Sequence, residues 1–237
     1  MTRTAHHPIP WNDTTLQALN RRFCDAPPEA LLAWAAAEFG DRAALTCSFG
    51  GAAGMVLLDM IARQRLPIAV LFLDTDLLFP ETYALAAEVE RRYGLPVIRQ
   101  RPALSLEAQA RQHGPELYAR DPDRCCALRK VAPLAEALRP YQAWISGIRR
   151  EQTAQRAATE PVAWNAKYGL LKLSPLATWS ARQVWAYLHT HAVPYNPLLD
   201  RGYPSLGCVP CTHPAHPDDP RAGRWSGFAK TECGIHT

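Results

Sequence analysis

With 237 residues, 48% of them hydrophobic and 20% charged, the chain has the length of one α/β domain and is too apolar to stay disordered. A chain of this size hides roughly 70 to 75% of the surface its unfolded form exposes, so a metal site would be functional rather than a staple for the core. The net charge of +4 is too small and dispersed to argue for a nucleic-acid partner, and no apolar run approaches the ~18 residues of a membrane span.

Met1 to Pro10 lack the apolar core of a signal peptide, which predicts a cytoplasmic location and disfavours structural disulfides. Pro27-Pro28 opens an Ala/Leu-rich helix that Gly40 ends. Ala43 to Cys47 read as a short buried strand entering the loop Ser48-Phe-Gly-Gly-Ala-Ala-Gly54, and a helix runs from about Ala53 to Gln64. Pro67 to Leu73 is a second strand, Pro80 to Tyr93 a helix closed by Gly94, and Pro96 to Arg99 a third strand. Ala143 to Gly147 and Leu170 to Leu173 supply a fourth and a fifth, and Ser180 to His191 another helix. This alternation predicts a doubly wound parallel sheet, with ligands bound beyond the strand C-termini. Three loops, Ser48 to Gly54, Asp74 to Phe79 and Gly147 to Arg156, should converge there. From Pro194 to Gly234 proline and glycine become dense, marking a tail that wraps or moves.

Ser48-Phe-Gly-Gly follows a strand and opens a helix, where backbone N–H groups and the helix dipole can hold an anion. Neither a Walker A lysine nor the dinucleotide fingerprint is present. Arg149, Arg150 and Arg156 follow the fourth strand, and guanidinium forks suit phosphate or sulfate oxygens. Cys125-Cys126 and Cys208-x-x-Cys211 offer four thiolates. Adjacent cysteines are awkward for a zinc ribbon, whereas an iron–sulfur cube takes its four thiolates on separate corners. Cys233 lies among cations that favour its thiolate, while Cys24 and Cys47 read as small core residues. His6, His7, His189 and His191 carry no evident role.

Together these segments resemble the phosphoadenylyl-sulfate and adenylyl-sulfate reductases, and within them the iron–sulfur branch acting on adenosine 5'-phosphosulfate (APS). The likeness rests on Ser48-Phe-Gly-Gly, Leu73-Asp-Thr-Asp-Leu-Leu-Phe-Pro-Glu-Thr-Tyr83, Arg124-Cys-Cys-Ala-Leu-Arg-Lys130, Trp144-Ile-Ser-Gly-Ile-Arg-Arg-Glu-Gln152, Gly207-Cys-Val-Pro-Cys211, Arg221-Ala-Gly-Arg-Trp225 and Lys230-Thr-Glu-Cys-Gly-Ile-His236. One departure is Ala52-Ala53-Gly54, where the family often has an acidic residue after the second glycine.

The resemblance implies an adenine-nucleotide α-hydrolase-like fold with a mobile C-terminal tail carrying the catalytic cysteine. It divides the chain into an N-terminal helical segment (1–40), a nucleotide-binding α/β domain (41–193) and the tail (194–237), within one structural domain. It implies thioredoxin-dependent reduction of APS to sulfite and AMP in sulfate assimilation, through an S-sulfocysteine on Cys233, with Lys130 and His236 as further catalytic residues. Ser48, Gly50, Gly51, Asp74, Thr75, Arg149, Arg150, Arg221 and Arg224 are the implied substrate-binding residues. Cys125, Cys126, Cys208 and Cys211 would hold a 4Fe-4S cluster, and the reductant would be thioredoxin or a glutaredoxin-like dithiol. Neither nucleic acid nor membrane is implied, and a homo-oligomer is left open. The competing readings are reduction of the 3'-phosphorylated nucleotide (PAPS) and a four-cysteine zinc module binding nucleic acid. An ATP-dependent sulfurtransferase of similar fold would want an Asp-Ser pair that the first loop lacks.

Overall fold

The computed structural model describes residues 11–216, 219 and 221–236; Met1 to Pro10, with His6 and His7, lie outside the described residues. Asn12 starts α1 (Asp13–Phe23) by accepting the Thr15 amide at 2.9 Å. Pro28 starts α2 (Pro28–Phe39), which stops at Gly40 with φ +58°. Next come β1 (Ala43–Thr46), α3 (Ala52–Arg63), β2 (Ala69–Leu73), α4 (Pro80–Tyr93) and β3 (Val97–Gln100). Gly94 ends α4 in the left-handed conformation, φ +63°. Four short helices not expected from the sequence follow: α5 (Leu106–His113), α6 (Leu117–Arg120), α7 (Pro122–Cys126) and α8 (Ala132–Leu138). A π-helical turn over Ala127–Val131 joins the last two. β4 (Ala143–Ile145), β5 (Val162–Asn165), β6 (Leu170–Leu173) and α9 (Ala181–Thr190) complete the domain, α9 starting on a Ser180/Gln183 capping box.

The six strands form one sheet in the order β3-β2-β1-β4-β6-β5, parallel except for β5, which runs antiparallel to β6. The expected parallel sheet therefore carries an added edge strand. Gly169, at φ +66°, lets the chain reverse directly from β5 into β6, a connection too short for a crossover. Successive strand residues face opposite ways. Leu45, Phe72, Ile145 and Leu173 enter the larger core beneath the α1–α4 and α9 face, while Ala44, Leu71, Trp144 and Leu170 meet Leu134 and Leu138 of α8 on the other. Burial on both faces explains why these strands read as unbroken apolar runs.

Residues 11–39 share that larger core, because Trp34 packs against Trp11, Phe23 and Phe39 at ring separations of 6.4, 5.6 and 5.7 Å. Asn20 of α1 pairs with the backbone of Val162, donating at 2.8 Å and accepting at 2.9 Å, and so covers part of the sheet edge. Among the described residues no helix is long and apolar enough to cross a membrane. Strand order reverses between β1 and β4, which places a crevice at their C-terminal ends.

Candidate active site

A cleft of about 640 Å³ opens at that crevice. Thr46 to Gly54 form one wall, Ser146 to Arg149 another, Thr75 and Leu78 come from beyond β2, and tail residues from Leu206 to His236 close over it. Phe49 adopts φ +52° with its ring buried 5.1 Å from Phe72, and Asn196 donates to its carbonyl at 3.0 Å. That anchor leaves Gly50 and Gly51 on the cleft. Gly51 opens α3 with no side-chain cap, so first-turn amides remain available to an anion. Gly147 is required by crowding: a Cβ there would stand 3.1 Å from the Ala53 carbonyl carbon and the Gly54 nitrogen.

Of the residues expected to bind substrate, Ser48, Gly50, Gly51, Thr75, Arg149, Arg221 and Arg224 line the cleft. Asp74 and Arg150 do not. Asp74 is buried to the side, accepting from the Tyr83 hydroxyl at 2.7 Å and the Asp76 amide at 3.0 Å, with Arg101 at 3.4 Å. Arg150 turns outward, donating to the Thr159 carbonyl at 2.7 Å and facing Glu160 at 3.4 Å. Both placements have one cause: neighbours along a strand exit alternate in direction, so position near a strand end does not fix which side chain faces the cleft. Arg149 pairs with Glu151 at 2.9 Å but keeps a buried Nε without a partner, and Ser146 Oγ is likewise unpartnered.

Arg156, which the sequence placed at this edge, lines the cleft, and so do Gln152 and Glu232, to which the sequence assigned no role. Arg156 grips Glu232 through Nε and Nη2, and Arg221 reaches the same carboxylate at 3.3 Å. Arg221 also donates to the Thr231 carbonyl at 3.1 and 2.5 Å. Arg224 is buried, donates to the Leu206 carbonyl at 3.1 Å and lies 4.4 Å from the Trp225 ring centre. Glu232 lies within the Lys230–His236 motif and Arg156 shortly after the Trp144–Gln152 one, but their pairing spans 76 residues.

Cys125, Cys126, Cys208 and Cys211 are free, buried and gathered around a void of about 10 Å³. Thr75 Oγ1 lies 3.2 Å from Cys208 Sγ. Burial, and then the neighbouring thiols, push Cys125 up to about 12 and Cys211 up to about 11. A group binding all four as thiolates must therefore bring positive charge. Among the described residues no three or more Cys, His, Asp or Glu are grouped to hold a metal ion. Lys130 and Trp225 line both the void and the cleft, forming the wall between them. Burial disfavours the Lys130 ammonium, but Cys208, Cys233 and Cys126 act against it, and its pKa is raised overall.

Cys233 lines the cleft and packs beside Cys126, Cys211 and Trp225. His236 stacks flat on Trp144, centroids 5.2 Å apart and planes 6° from parallel, with its buried Nδ1 unpartnered. Burial, and then Lys172, Arg156 and Arg221, hold its pKa well below the usual imidazole value.

A model of the phosphoadenosine phosphosulfate reductase domain matches residues 42–214. The adenosine 5'-phosphosulfate reductase of Salinibacter ruber is 50% identical over 230 residues, 96% of this chain and 91% of that protein. The phosphoadenosine 5'-phosphosulfate reductase of Gloeobacter violaceus is 47% identical over 231 residues, 95% of each chain. The crystal structure of phosphoadenylyl-sulfate reductase from Candida auris, in a phosphate complex, superimposes with a TM-score of 0.76 at 32% identity, covering 85% of this chain and 98% of that one. The adenine-nucleotide α-hydrolase-like sheet is thus shared with a reductase of known structure. Identity at this level, held along nearly the whole length of the relatives, means that the chain belongs to the phosphoadenosine phosphosulfate reductase family.

Proposed function

We propose that this protein reduces APS to sulfite and AMP in the cytoplasm, within sulfate assimilation, using a thioredoxin-class dithiol. The observation that carries this is Cys233 lying over a nucleotide-sized cleft, beside Lys130, with cations from three segments around it. The nucleotide lies over the β1 and β4 ends, its 5'-phosphate toward the open amides of α3. Arg149, Arg156, Arg221 and Arg224 meet the phosphosulfate charge. Cys233 thiolate attacks the sulfur, the bond from sulfur to the bridging oxygen breaks, and AMP leaves with that electron pair. The dithiol then attacks Cys233 Sγ, sulfite departs with the sulfur–sulfur pair, and the second thiol resolves the mixed disulfide to restore Cys233. Two electrons come from the dithiol, which ends as a disulfide. A tail able to leave the cleft would let Cys233 meet this protein partner.

The four cysteines support a 4Fe-4S cluster: a cube presents positive iron to thiolates spread over its corners, as four crowded thiols, Cys125, Cys126 and Cys211 held protonated by burial, require. When bound, it would supply a fixed electrostatic field next to Lys130 rather than the reducing electrons. Lys130 would carry that field to the sulfate. Anaerobically purified protein should contain about four iron and four sulfide per chain. Stoichiometric zinc without sulfide would favour the zinc module instead.

APS is preferred to PAPS in this reading because the loops at Ser48–Gly54 and Asp74–Phe79 bring no Lys or Arg for a second phosphate. A buried unpaired phosphate is costly. Competition between both nucleotides should give kcat/KM at least ~100-fold higher for APS. The decisive test of the chemistry is Cys233→Ser, which should bind AMP, keep its metal content and make no sulfite. Wild-type protein given APS without reductant should carry a sulfonate mass on the peptide containing Cys233, and a mass on Cys24 or Cys47 would reassign the nucleophile.

A further inference from the structure

Behind the tail the sheet sets an indole and an ammonium side by side. Trp144 of β4 and Lys172 of β6 are register partners, and Lys172 Nζ lies 5.1 Å from the Trp144 ring centre. Trp144 is fully buried and fixed by donating from Nε1 to Thr46 Oγ1 at 2.8 Å. Against its face lies His236. Lys172 donates to the His236 carbonyl at 3.4 Å, Tyr168 to that of Ile235 at 3.5 Å, and Lys167 to that of Gly234 at 2.8 Å. Three successive carbonyls, directly after Cys233, are therefore each held by a side chain from the β5–β6 hairpin or β6 itself. Neither Trp144 nor Lys172 lines the cleft, so their contact with the reaction runs through the tail.

We propose that Trp144 and Lys172 form a docking seat for residues 234–236 and are positioning residues for Cys233. The inference rests on the assignment of Cys233 as nucleophile. A tail held only before the cysteine, at Thr231 and Glu232, could pivot; a second anchor over the three residues after it would fix the direction of its Sγ. A nucleophile displaced by about 1 Å from its line of attack loses on the order of 100-fold in rate.

The test is Lys172→Met, which keeps the stem and removes the charge. Three quantities are read: the rate of Cys233 sulfonation by APS in a single turnover without reductant, the Kd for AMP, and amide hydrogen exchange across residues 231–236. The seat requires sulfonation slowed by about tenfold or more, an AMP Kd within about twofold of wild type, faster exchange in the tail alone, and recovery to within about threefold in Lys172→Arg. Tyr168→Phe, which deletes one hydroxyl and leaves the sheet intact, should shift tail exchange in the same direction if Lys172→Met folds poorly. Unchanged tail exchange in both variants overturns the proposal, as does weakened AMP binding that accounts for the whole loss of rate. If wild-type Cys233 itself acquires no sulfonate, the nucleophile assignment fails, while the exchange data still decide whether the seat holds the tail.

Discussion

Arg156 holds Glu232 with two parallel hydrogen bonds, of 2.9 and 2.7 Å, where the tail enters the cleft. Their side chains are only 13% and 9% exposed, and Arg221 shares the carboxylate. The residue before the proposed nucleophile thus occupies the cations that an anionic substrate would use. Glu232→Gln removes the internal anion and leaves two guanidiniums uncompensated. The variant should bind AMP about tenfold more tightly than wild type by calorimetry, and its tail amides should exchange faster without ligand. An unchanged affinity would mean that AMP does not draw on this pair.

Arg129 is the buried hub between the cysteine helix and the β2 exit. It donates to the Thr75 carbonyl at 2.7 Å, Gln109 at 3.1 Å and Asp76 at 2.6 Å, and it sits one turn beyond Cys125. Arg129→Ala strands Asp76 and the Thr75 carbonyl together. We expect a loss on the order of 3 to 5 kcal/mol and a melting temperature lower by roughly 10 °C in thermal denaturation. Thr75 also contacts Cys208, so if the four cysteines hold the proposed cluster, iron content should fall in the same variant. A melting temperature within about 2 °C of wild type would show that the network is replaceable.

What the sequence disclosed and what it withheld divide along physical lines. Strands buried on both faces and the Gly40 and Gly94 stops are local signals, and they were legible to within two residues. That Cys125, Cys126, Cys208 and Cys211 lie around one void was legible from their pairing in the sequence, apart from the lone Cys24 and Cys47. β5 was missed because an edge strand with an exposed Trp164 and a closing Asn165 presents no unbroken apolar run. The helices between Leu106 and Leu138 are short and held by tertiary contacts. That Asp74 and Arg150 turn away from the cleft, and what Glu232 and Lys172 hold, was not legible for a common reason. Their partners lie 9 to 76 residues away, and only the folded sheet decides which of them face the cleft.

Gly147 offers a test of how tightly the two walls must approach. Any Cβ at this position meets backbone atoms of Ala53 and Gly54 at 3.1 Å, which cannot rotate away as a side chain would. Gly147→Ala should push β4 from the start of α3, cost about 1 to 3 kcal/mol and weaken AMP binding by roughly tenfold. Denaturant titration and calorimetry measure the two effects separately. Wild-type values in both would mean that the walls can separate freely.

The His236 ring gives tail docking a pH dependence whose sign follows from burial. Docked, the imidazole is neutral well below its ordinary range, because burial and then the nearby Lys172, Arg156 and Arg221 disfavour its charge. Released, it should titrate near ~6.5. Below that value the released tail binds more protons than the docked one, so docking is complete above about pH 6.5 and weakens steadily as acid is added. Among the described residues Glu232 is the carboxylate that pairs with Arg156 and Arg221, and burial brings Lys172 down to about 8, above the window in question. Imidazole NMR should therefore show a neutral His236 at pH 6, where a free ring is mostly protonated. Between pH 7 and 5, amide protection of residues 231–236 should fall faster than that of β1, after correction for intrinsic exchange. His236→Gln should flatten this difference. A His236 that titrates near ~6.5 with the tail still protected would mean that the ring reaches water without leaving Trp144.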